Sequence, residues 1–517
     1  MADDKDLKQF IEKITNFASK TGIAFSTGDI YGGLAGFWDF GPIGVELKTR
    51  IKEVWWHDFV RAREDIVGYD GAIITHPKVW EASGHVASFD DPLVFCLKCK
   101  KKQRLDILVE DELKIPTEDK SMEELAQVAK ENGLKCPECK GDLGDPVKFN
   151  LMFQTQVGPQ EDTSSTSFLR PENAQSIFSG FKNVVSSTRV KAPFGIAQIG
   201  KVFRNEISPR NFLFRTREFE LMEFEYFANP EKIDECPLFD SIAGKQIHIY
   251  SRKEQQDKSS PDYIVMTLRE AWDIKIFKNK WQAFWITTFF EWFKQLGIQS
   301  KKMRFRQHLE SELSHYALDT WDIEYNFTFG WKELMGVANR TQYDLTQHKT
   351  HSKQKIEFQE QDVTGLQRYV PYVVAEPSVS VERILLTLIA EGYTEEVVKG
   401  RPRVVLKISP RLAPFDAAVF PLQKKGEIYA KAQEIFNQLK DEMFIVDFDE
   451  SGSIGKRYRR HDEIGTPFCI TVDFESLEDN KVTIRDRDSM EQIRVSIEEI
   501  GNAIRKKRKE FIENLQN

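Results

Sequence analysis

No stretch of this 517-residue chain is apolar for long enough to span a bilayer, and the N-terminus MADDKDLKQF lacks the apolar core of a secretion signal. The most apolar window, residues 281–296, is interrupted by Gln282, Glu291 and Lys294. The chain is therefore expected to be soluble and cytoplasmic, with no membrane partner. An excess of basic residues is missing too. The formal net charge of −8 excludes indiscriminate coating of a polyanion and confines any nucleic-acid contact to local patches. There is no nucleotide-binding P-loop, since GSIGKR at 452–457 has neither its spacing nor its Ser/Thr. Cysteines number only six, and four of them form two CxxC pairs, Cys96/Cys99 and Cys136/Cys139. Without a signal peptide that pattern favours a metal over disulfides, and for the same reason the sequons at Asn326 and Asn339 carry no weight.

What is present is ordinary globular composition, 40% hydrophobic and 30% charged, in a chain too long for one core. Two or three domains are expected. Residues 194–227 read as a long β-hairpin around an arginine- and aromatic-rich loop. The alternation puts carboxylates among large apolar residues on both faces of its second strand, where an ordinary half-buried strand keeps acids on the water side. Those acids need partners. The loop carries Arg210 and Arg215, with Arg217 just beyond, and guanidinium groups grip phosphate in a fork, while Phe212 and Phe214 offer flat faces to a base. A nucleotide site is the sharper reading; a sheet hairpin with surface ion pairs is the plainer one.

Along the chain, residues 4–20 form an amphipathic helix with Leu7, Phe10, Ile11, Ile14 and Phe17 on one stripe. A second helix from about Gly44 presents Val45, Leu47, Ile51, Val54, Trp55 and Phe59, either to the core or to a partner subunit. Residues 93–148 are an insertion in which each CxxC reads as a zinc knuckle, because two thiolates from one tight turn span adjacent corners of a tetrahedron; reduced, unmetallated knuckles are the alternative. Residues 230–300 read as a second insertion, whose segment 281–296 is a helix with an aromatic core face. Arg170 and Glu172 lie at a strand-to-helix corner set by Pro171. A helix is expected to run to about Ala317, followed by a strand, and His308 and His315 are expected to be structural. In VVAEPSVSVER a strand is expected to end at Glu376, Pro377 to turn the chain, and Arg383 to sit near a helix start, where a cation is unfavourable unless it faces an anion. Residues 400–403 (GRPR) mark a boundary, and a small α/β domain with a partly parallel sheet follows. In it Lys456, Arg457, Arg459 and Arg460 around Tyr458 are candidates for binding phosphate and a splayed base.

Three of these segments, ending in GPIGVELK, FRNE with FRTREFELMEFEYF, and EPSVSVER, resemble the three motifs of class II aminoacyl-tRNA synthetases. GDIYGGLAGFWDFGPIGVELK, WEASGHV, FNLMF, LRPENAQ, FRNEISPRNFLFRTREFE, ELSHYALDTWDIEY and SPRLAPFDAAVFPL look more closely like the dimeric glycyl-tRNA synthetases, over essentially the whole chain. The resemblance implies an α+β fold: a class II catalytic domain over 1–402, an antiparallel sheet flanked by helices, and an α/β anticodon-binding domain over 403–517. It implies a homodimer that makes glycyl-adenylate from glycine and ATP with Mg2+, then charges its tRNA.

Catalysis would then fall to Arg204, Glu206 and Arg383. ATP would be held by Arg204, Asn205, Glu206, Phe214, Arg215, Thr216, Arg217, Glu218, Phe219, Glu333, Leu334, Ser380, Val381, Glu382 and Arg383. Glycine would be held by Arg104, Glu172, Phe219, Glu220, Leu221, Met222, Glu223, Glu376, Pro377, Ser378, Val379 and Ser380. Zinc would take Cys96, Cys99, Cys136 and Cys139. The sequence departs from the family pattern at Asn173 and Ser176 (threonine and glycine in RPETAQG), at Met335 and Gln342 (acids), at Ser380 (glycine) and at Glu382 (aspartate). These departures keep a second reading open, a non-catalytic paralogue serving as an RNA-binding or regulatory module. A class II enzyme for another amino acid is the third.

Overall fold

The computed structural model describes residues 4–115, 117, 120–159, 165–257, 259–362 and 365–516. Its centre is one large sheet built from β1 (Ile66–Gly68), β2 (Phe194–Phe203), β3 (Glu218–Ala228), β4 (Gln246–Tyr250), β5 (Ile264–Thr267), β6 (Met303–Gln307), β7 (Asp319–Phe327), β8 (Gly330–Asn339) and β9 (Tyr372–Ser380). Across the sheet the order is β5-β4-β6-β7-β8-β9-β3-β2-β1. Pairing is antiparallel except for β1 with β2 and β4 with β6. The expected long hairpin is β2 and β3, in register from Phe194 opposite Phe227 to Phe203 opposite Glu218.

Helices cover the sheet: α1 (Asp4–Lys20), α2 (Pro42–Trp56), α3 (Pro77–Ser83), α4 (Ala174–Ser187), α5 (Lys280–Gln295), α6 (Tyr343–Ser352) and α7 (Val381–Gly392). The even positions of β3 face α2 and α5. Phe224 meets Trp285 at 4.7 Å, Tyr226 meets Trp281 at 4.8 Å, and Phe59 stacks on Phe289 at 4.1 Å. Burying side chains of this size contributes about 1.5–3 kcal/mol each, which fixes which face of β3 is core. Residues 230–300 therefore supply the edge strand β5, its neighbour β4 and the helix that fills the main core.

Two local expectations are overturned. Residues 303–307 are a strand, not part of a helix to Ala317, and only a short 3-10 turn, Glu310–Glu312, follows. Pairing with β7 in the sheet outweighs the weak helical pattern. Nor does Pro377 end its strand: β9 runs on to Ser380. Pro377 pairs with Val337 on one side, while on the other the β3/β9 pairing lapses at 224–225 opposite 376–377 and its register shifts just beyond, between Tyr226 and Phe227. A residue without an N–H is tolerated in a central strand at such an irregularity.

The insertion folds on a three-stranded sheet of Asp90–Phe95, Lys102–Arg104 and Val147–Asn150, with helices Leu105–Leu113 and Met122–Glu131. At the C-terminus β10 (Ala417–Pro421), α8 (Glu427–Asp441), β11 (Val446–Phe448), α9 (Ile454–Ile464), β12 (Phe468–Val472), β13 (Lys481–Asp486), β14 (Gln492–Ser496) and α10 (Ile500–Gln516) form a sheet ordered β11-β10-β12-β13-β14. β10 runs parallel to β11 and β12, and the other pairs are antiparallel. This unit has its own core of Val419, Ile435, Ile470, Ile484 and Ile504. Gly400 lies at the tip of a hairpin of Tyr393–Val398 and Arg401–Leu406, and Leu406, Ile408 and Leu412 still belong to the larger core. Asp416 bridges the two, paired with Arg50 and Arg508, each at 2.9 Å. Among the described residues no helix is long and apolar enough to cross a membrane.

Candidate active site

Period-2 geometry sends Phe219, Leu221 and Glu223 of β3 to the face opposite the α5 core. On β9 it does the same for Glu376, Ser378 and Ser380. Pairing of Leu221 with Ser380 and Glu223 with Ser378 sets these residues side by side. Together with Glu172, Arg204, Glu333 and Arg383 they line a cavity of about 280 Å³.

One end of this cavity is acidic. Ser378 donates its hydroxyl to Glu223 at 2.6 Å. Arg340, fully buried just beyond β8, donates from Nη1 to Glu376 at 2.8 Å and forks onto Asp344 with two bonds of 2.9 Å. Its Nη2 lies 3.5 Å from Glu172, which also has His85 Nε2 at 3.4 Å and accepts from Gln175 at 3.1 Å. The guanidinium is sandwiched between Tyr316 at 3.8 Å and Phe178 at 5.2 Å. Carboxylates still outnumber cations here. Burial raises the Glu376 carboxyl to about 8, and Glu172, Glu223 and Asp344 add to it, against the pull of Arg340. Burial likewise raises Glu223. Glu172 is the exception: burial opposes its charge, but His85 and Arg340 hold it well below the usual carboxylate range. An ammonium entering this end meets one firm anion and others ready to ionise.

The other end is cationic. Arg204 donates from Nε to Pro171 O at 3.1 Å, and its guanidinium stands 5.5 Å from the Phe219 ring. Arg383 follows Ser380, whose hydroxyl accepts from the Arg383 N–H at 3.3 Å and caps α7. Its guanidinium lies over Phe214 at 4.8 Å and pairs with Glu333 at 2.9 Å. Arginines facing aromatic rings across a cavity can bind a base and its phosphates. His308, expected to be structural, instead lines this cavity with Nε2 2.9 Å from Asp322. Burial alone would lower it, but Asp322 raises it to about 9.

Several expected residues lie elsewhere. Arg104 does not reach the glycine end; it pairs with Asp91 at 2.7 Å and with Asp106, in a neighbouring cleft shared with Arg210 and Arg215. Met222 and Val379 point into the main core, as the alternation of their strands requires; Leu334 enters it at the β7/β8 register shift and Val381 from the start of α7. Pro377 is buried with its neighbours in β9. Glu220 and Glu382 face α2, where Lys48 bonds both, at 2.8 and 2.5 Å. Glu218 pairs with exposed Lys201 at 2.5 Å. Phe212 packs on Trp38 at 4.7 Å and offers no face to a base. Asn205, Glu206, Arg215, Thr216 and Arg217 build the loop mouth. The Asn205 N–H donates to Leu151 O at 2.7 Å, Arg217 donates to Glu206 O and Ala35 O, Thr216 donates to Glu218 O at 3.1 Å, and Arg215 lies 3.9 Å from Glu206.

The departures from the family pattern have local explanations. Asn173 donates to Leu221 O at 3.1 Å and accepts from Gln198, and Gln342 donates to Val370 O at 2.6 Å. Met335 is core, Ser380 is the helix cap, and Glu382 takes Lys48. Ser176 is buried with its hydroxyl unpaired, and nothing in the structure explains the substitution. Sequence reasoning passed over Arg340, Tyr316 and Glu225. The last is fully buried with neither carboxyl oxygen hydrogen-bonded, and burial pushes it well above the usual range. Only Glu225 left a signal, as a further acid of β3 two residues beyond Glu223 and on the same face.

The four cysteine sulfurs come together, all within 4.8 Å of one another. The two knuckles match: Lys100 N–H donates to Cys96 O at 3.0 Å and Lys140 N–H to Cys136 O at 2.9 Å, with both lysines left-handed at φ 61 and 57. Sulfurs at about 2.3 Å from a zinc ion sit at tetrahedral corners roughly 3.8 Å apart. Contacts of 3.4 Å (Cys96–Cys139) and 3.8 Å (Cys99–Cys136) fit that ion. In the C-terminal unit α9 turns Arg457 inward to Pro421 O at 2.6 Å and Arg460 onto Asp449, while Tyr458 bonds Thr471 at 2.6 Å. Tyr458 is therefore a packed residue and not a free base platform.

Known proteins share this architecture. Residues 416–507 match a family model described as "Anticodon binding domain". The prolyl-tRNA synthetase of Cryptosporidium parvum, solved with L-proline and AMP, superposes with a TM-score of 0.56 at 14% identity, covering 98% of this chain and 79% of that one. Sheet, cavity and C-terminal unit together define a class II aminoacyl-tRNA synthetase fold. Glycine–tRNA ligase of Caldanaerobacter subterraneus subsp. tengcongensis is 46% identical over 97% of this chain and 99% of its own. Those of Alkaliphilus oremlandii (45%; 98% and 100% covered) and Treponema denticola (42%; 98% and 99% covered) are similar over their full length. The chain belongs to the glycine–tRNA ligase family.

Proposed function

We propose that the cavity joins glycine to ATP, giving glycyl-adenylate and pyrophosphate, and that the chain then passes glycine to the 3′ end of its tRNA. The observation that carries this reading is the polarity of one cavity: Glu172, Glu223 and Glu376 at one end, Arg204 and Arg383 at the other. The acids receive the ammonium and leave the glycine carboxylate facing the guanidinium end. An oxygen of that carboxylate attacks the α-phosphorus of ATP, and the bond to pyrophosphate breaks in line. Arg204 and Arg383 stabilise charge on the phosphates, and Phe214 and Phe219 flank the base. Magnesium, when bound with ATP, would neutralise further phosphate charge, and Glu333, beside Arg383 at this end, is a carboxylate that could help hold it. Catalysis thus rests on Arg204 and Arg383, while Glu206 shapes the loop mouth.

Zinc is the ion we assign to Cys96, Cys99, Cys136 and Cys139, as a structural clamp. The C-terminal unit is the part we assign to the anticodon. We assign homodimer contacts to the apolar side chains left exposed before and at the start of α2, where Ile30 and Tyr31 are 87% and 90% exposed and Leu34 and Val45 about half. Sedimentation of Tyr31→Asp checks this, since an unchanged dimer would move the interface elsewhere. Charging tRNA for translation puts the protein's work in the cytoplasm. ATP–pyrophosphate exchange, run across all amino acids, tests the main reading. Exchange driven by glycine is expected; folded protein that exchanges with none would be a binding module, and exchange driven by alanine, serine or proline would move the assignment within class II.

A further inference from the structure

The acidic end of the cavity has a wall that neither the strands nor the three acids supply. Residues 308–318 leave the sheet between β6 and β7 and cross this end, adding Ser314 and Tyr316 to the lining. Tyr316 lies flat on Arg340, with the guanidinium carbon 3.8 Å from its ring centre. The ring lines the same cavity as Glu172 and Glu376, the carboxylates that would take an ammonium, and burial raises its phenol, Arg340 opposing and the two carboxylates adding to the rise.

The segment is fixed from several sides. His315 Nε2 donates to the carbonyl of Ser83 at the end of α3, at 3.1 Å, and its ring packs on Tyr316 and on Tyr343, each at 5.2 Å. Gly84 (φ 85) allows that approach, since a Cβ there would lie only 3.2 Å from His315 Nε2. Arg340 beneath the ring is itself immobilised by Asp344, Glu376 and Phe178. Refusing larger amino acids takes a wall that does not yield. A missing methylene in a loose pocket gives only about 10–200-fold discrimination.

We infer that Tyr316 is a specificity-determining residue of the glycine site, its ring filling space that the side chain of alanine or serine would need. The inference rests on the glycine-activating reading. The ring also holds Arg340 flat, so it acts on glycine by position and on competitors by bulk.

The experiment is amino-acid-dependent ATP–pyrophosphate exchange with wild type, Tyr316→Ala, Tyr316→Leu and Tyr316→Phe, comparing kcat/KM for alanine and for glycine. The alanine-to-glycine ratio is expected to rise at least about tenfold in Tyr316→Ala. It should rise less in Tyr316→Leu, which keeps part of the bulk, and stay at the wild-type value in Tyr316→Phe, which keeps the ring. Loss of packing alone lowers both substrates together and leaves the ratio unchanged, which would overturn the inference. So would a Phe variant as permissive as the Ala variant, because the hydroxyl and not the ring would then discriminate. Should Tyr316→Ala not fold, the Leu-to-Phe comparison decides. Wild type that fails to exchange with glycine would sink the underlying reading, whereas glycine exchange with an unmoved ratio sinks this inference alone.

Discussion

Arg340 donates from Nη1 to Glu376 Oε1 at 2.8 Å, and this bond ties the end of β8 to the middle of β9 across the floor of the acidic pocket. The same guanidinium forks onto Asp344 in α6, so one buried cation fixes three elements. A lysine has one charged point where arginine has a planar fork, and it cannot hold Asp344 and Glu376 together. Arg340→Lys is expected to raise the KM for glycine more than tenfold while the KM for ATP changes little. Arg340→Ala should cost roughly 3–5 kcal/mol of stability, because it leaves buried carboxylates unpaired. Exchange kinetics and urea titrations check both.

Burial, with Glu172, Glu223 and Asp344, lifts the Glu376 carboxyl to about 8. Below that value it is largely protonated and attracts an ammonium weakly; above it the group is an anion. The KM for glycine should therefore fall as pH rises from about 6.5 to 8.5, and Glu376→Gln should flatten that slope at a higher KM. A slope unchanged in Glu376→Gln would assign the titration to another group.

Lys48 links α2 to the site by bonding Glu220 of β3 and Glu382 of α7 at 2.8 and 2.5 Å. Burial opposes its charge, but the two carboxylates outweigh it and raise the ammonium. Its contribution is thus present below the ordinary lysine value of about 10.4 and lost only as pH rises above it. Lys48→Met should destabilise the fold by roughly 3–5 kcal/mol at pH 7. Lys48→Met with Glu382→Gln should recover part of that loss, since the cycle isolates the coupling. Thermal melts of the four proteins measure it.

Cys136 is buried within the sulfur cluster. Wild type purified without chelator should carry about one zinc per chain, and Cys136→Ser almost none. Limited proteolysis should then cut residues 93–148 faster in the variant, while the α/β unit at the C-terminus is cut as before. Equal metal content in the two proteins would remove the assignment.

The order of elements was legible in the sequence wherever a local period controlled it. The alternation of 194–227, the aromatic stripe of 281–296 and the paired CxxC spacing each depend on neighbours in the chain, and each was found where expected. Strand 303–307 was not legible, because it takes its conformation from pairing with β7. Arg104 was placed with the wrong partners, because a charged residue in an insertion shows nothing of which cleft it will face.

By itself the sequence determined which residues of β3 share a face, since that follows from parity alone. It also supplied the acids and arginines that such faces carry. Only the tertiary structure decided how they are shared. Glu223 and Glu376 turn to the cavity while Glu220 and Glu382 turn to Lys48, and Arg340 and Tyr316, distant in sequence from both motifs, close the acidic end. The reason is physical: burial and pairing depend on what packs opposite a residue, and strand register, not chain neighbours, chooses that partner.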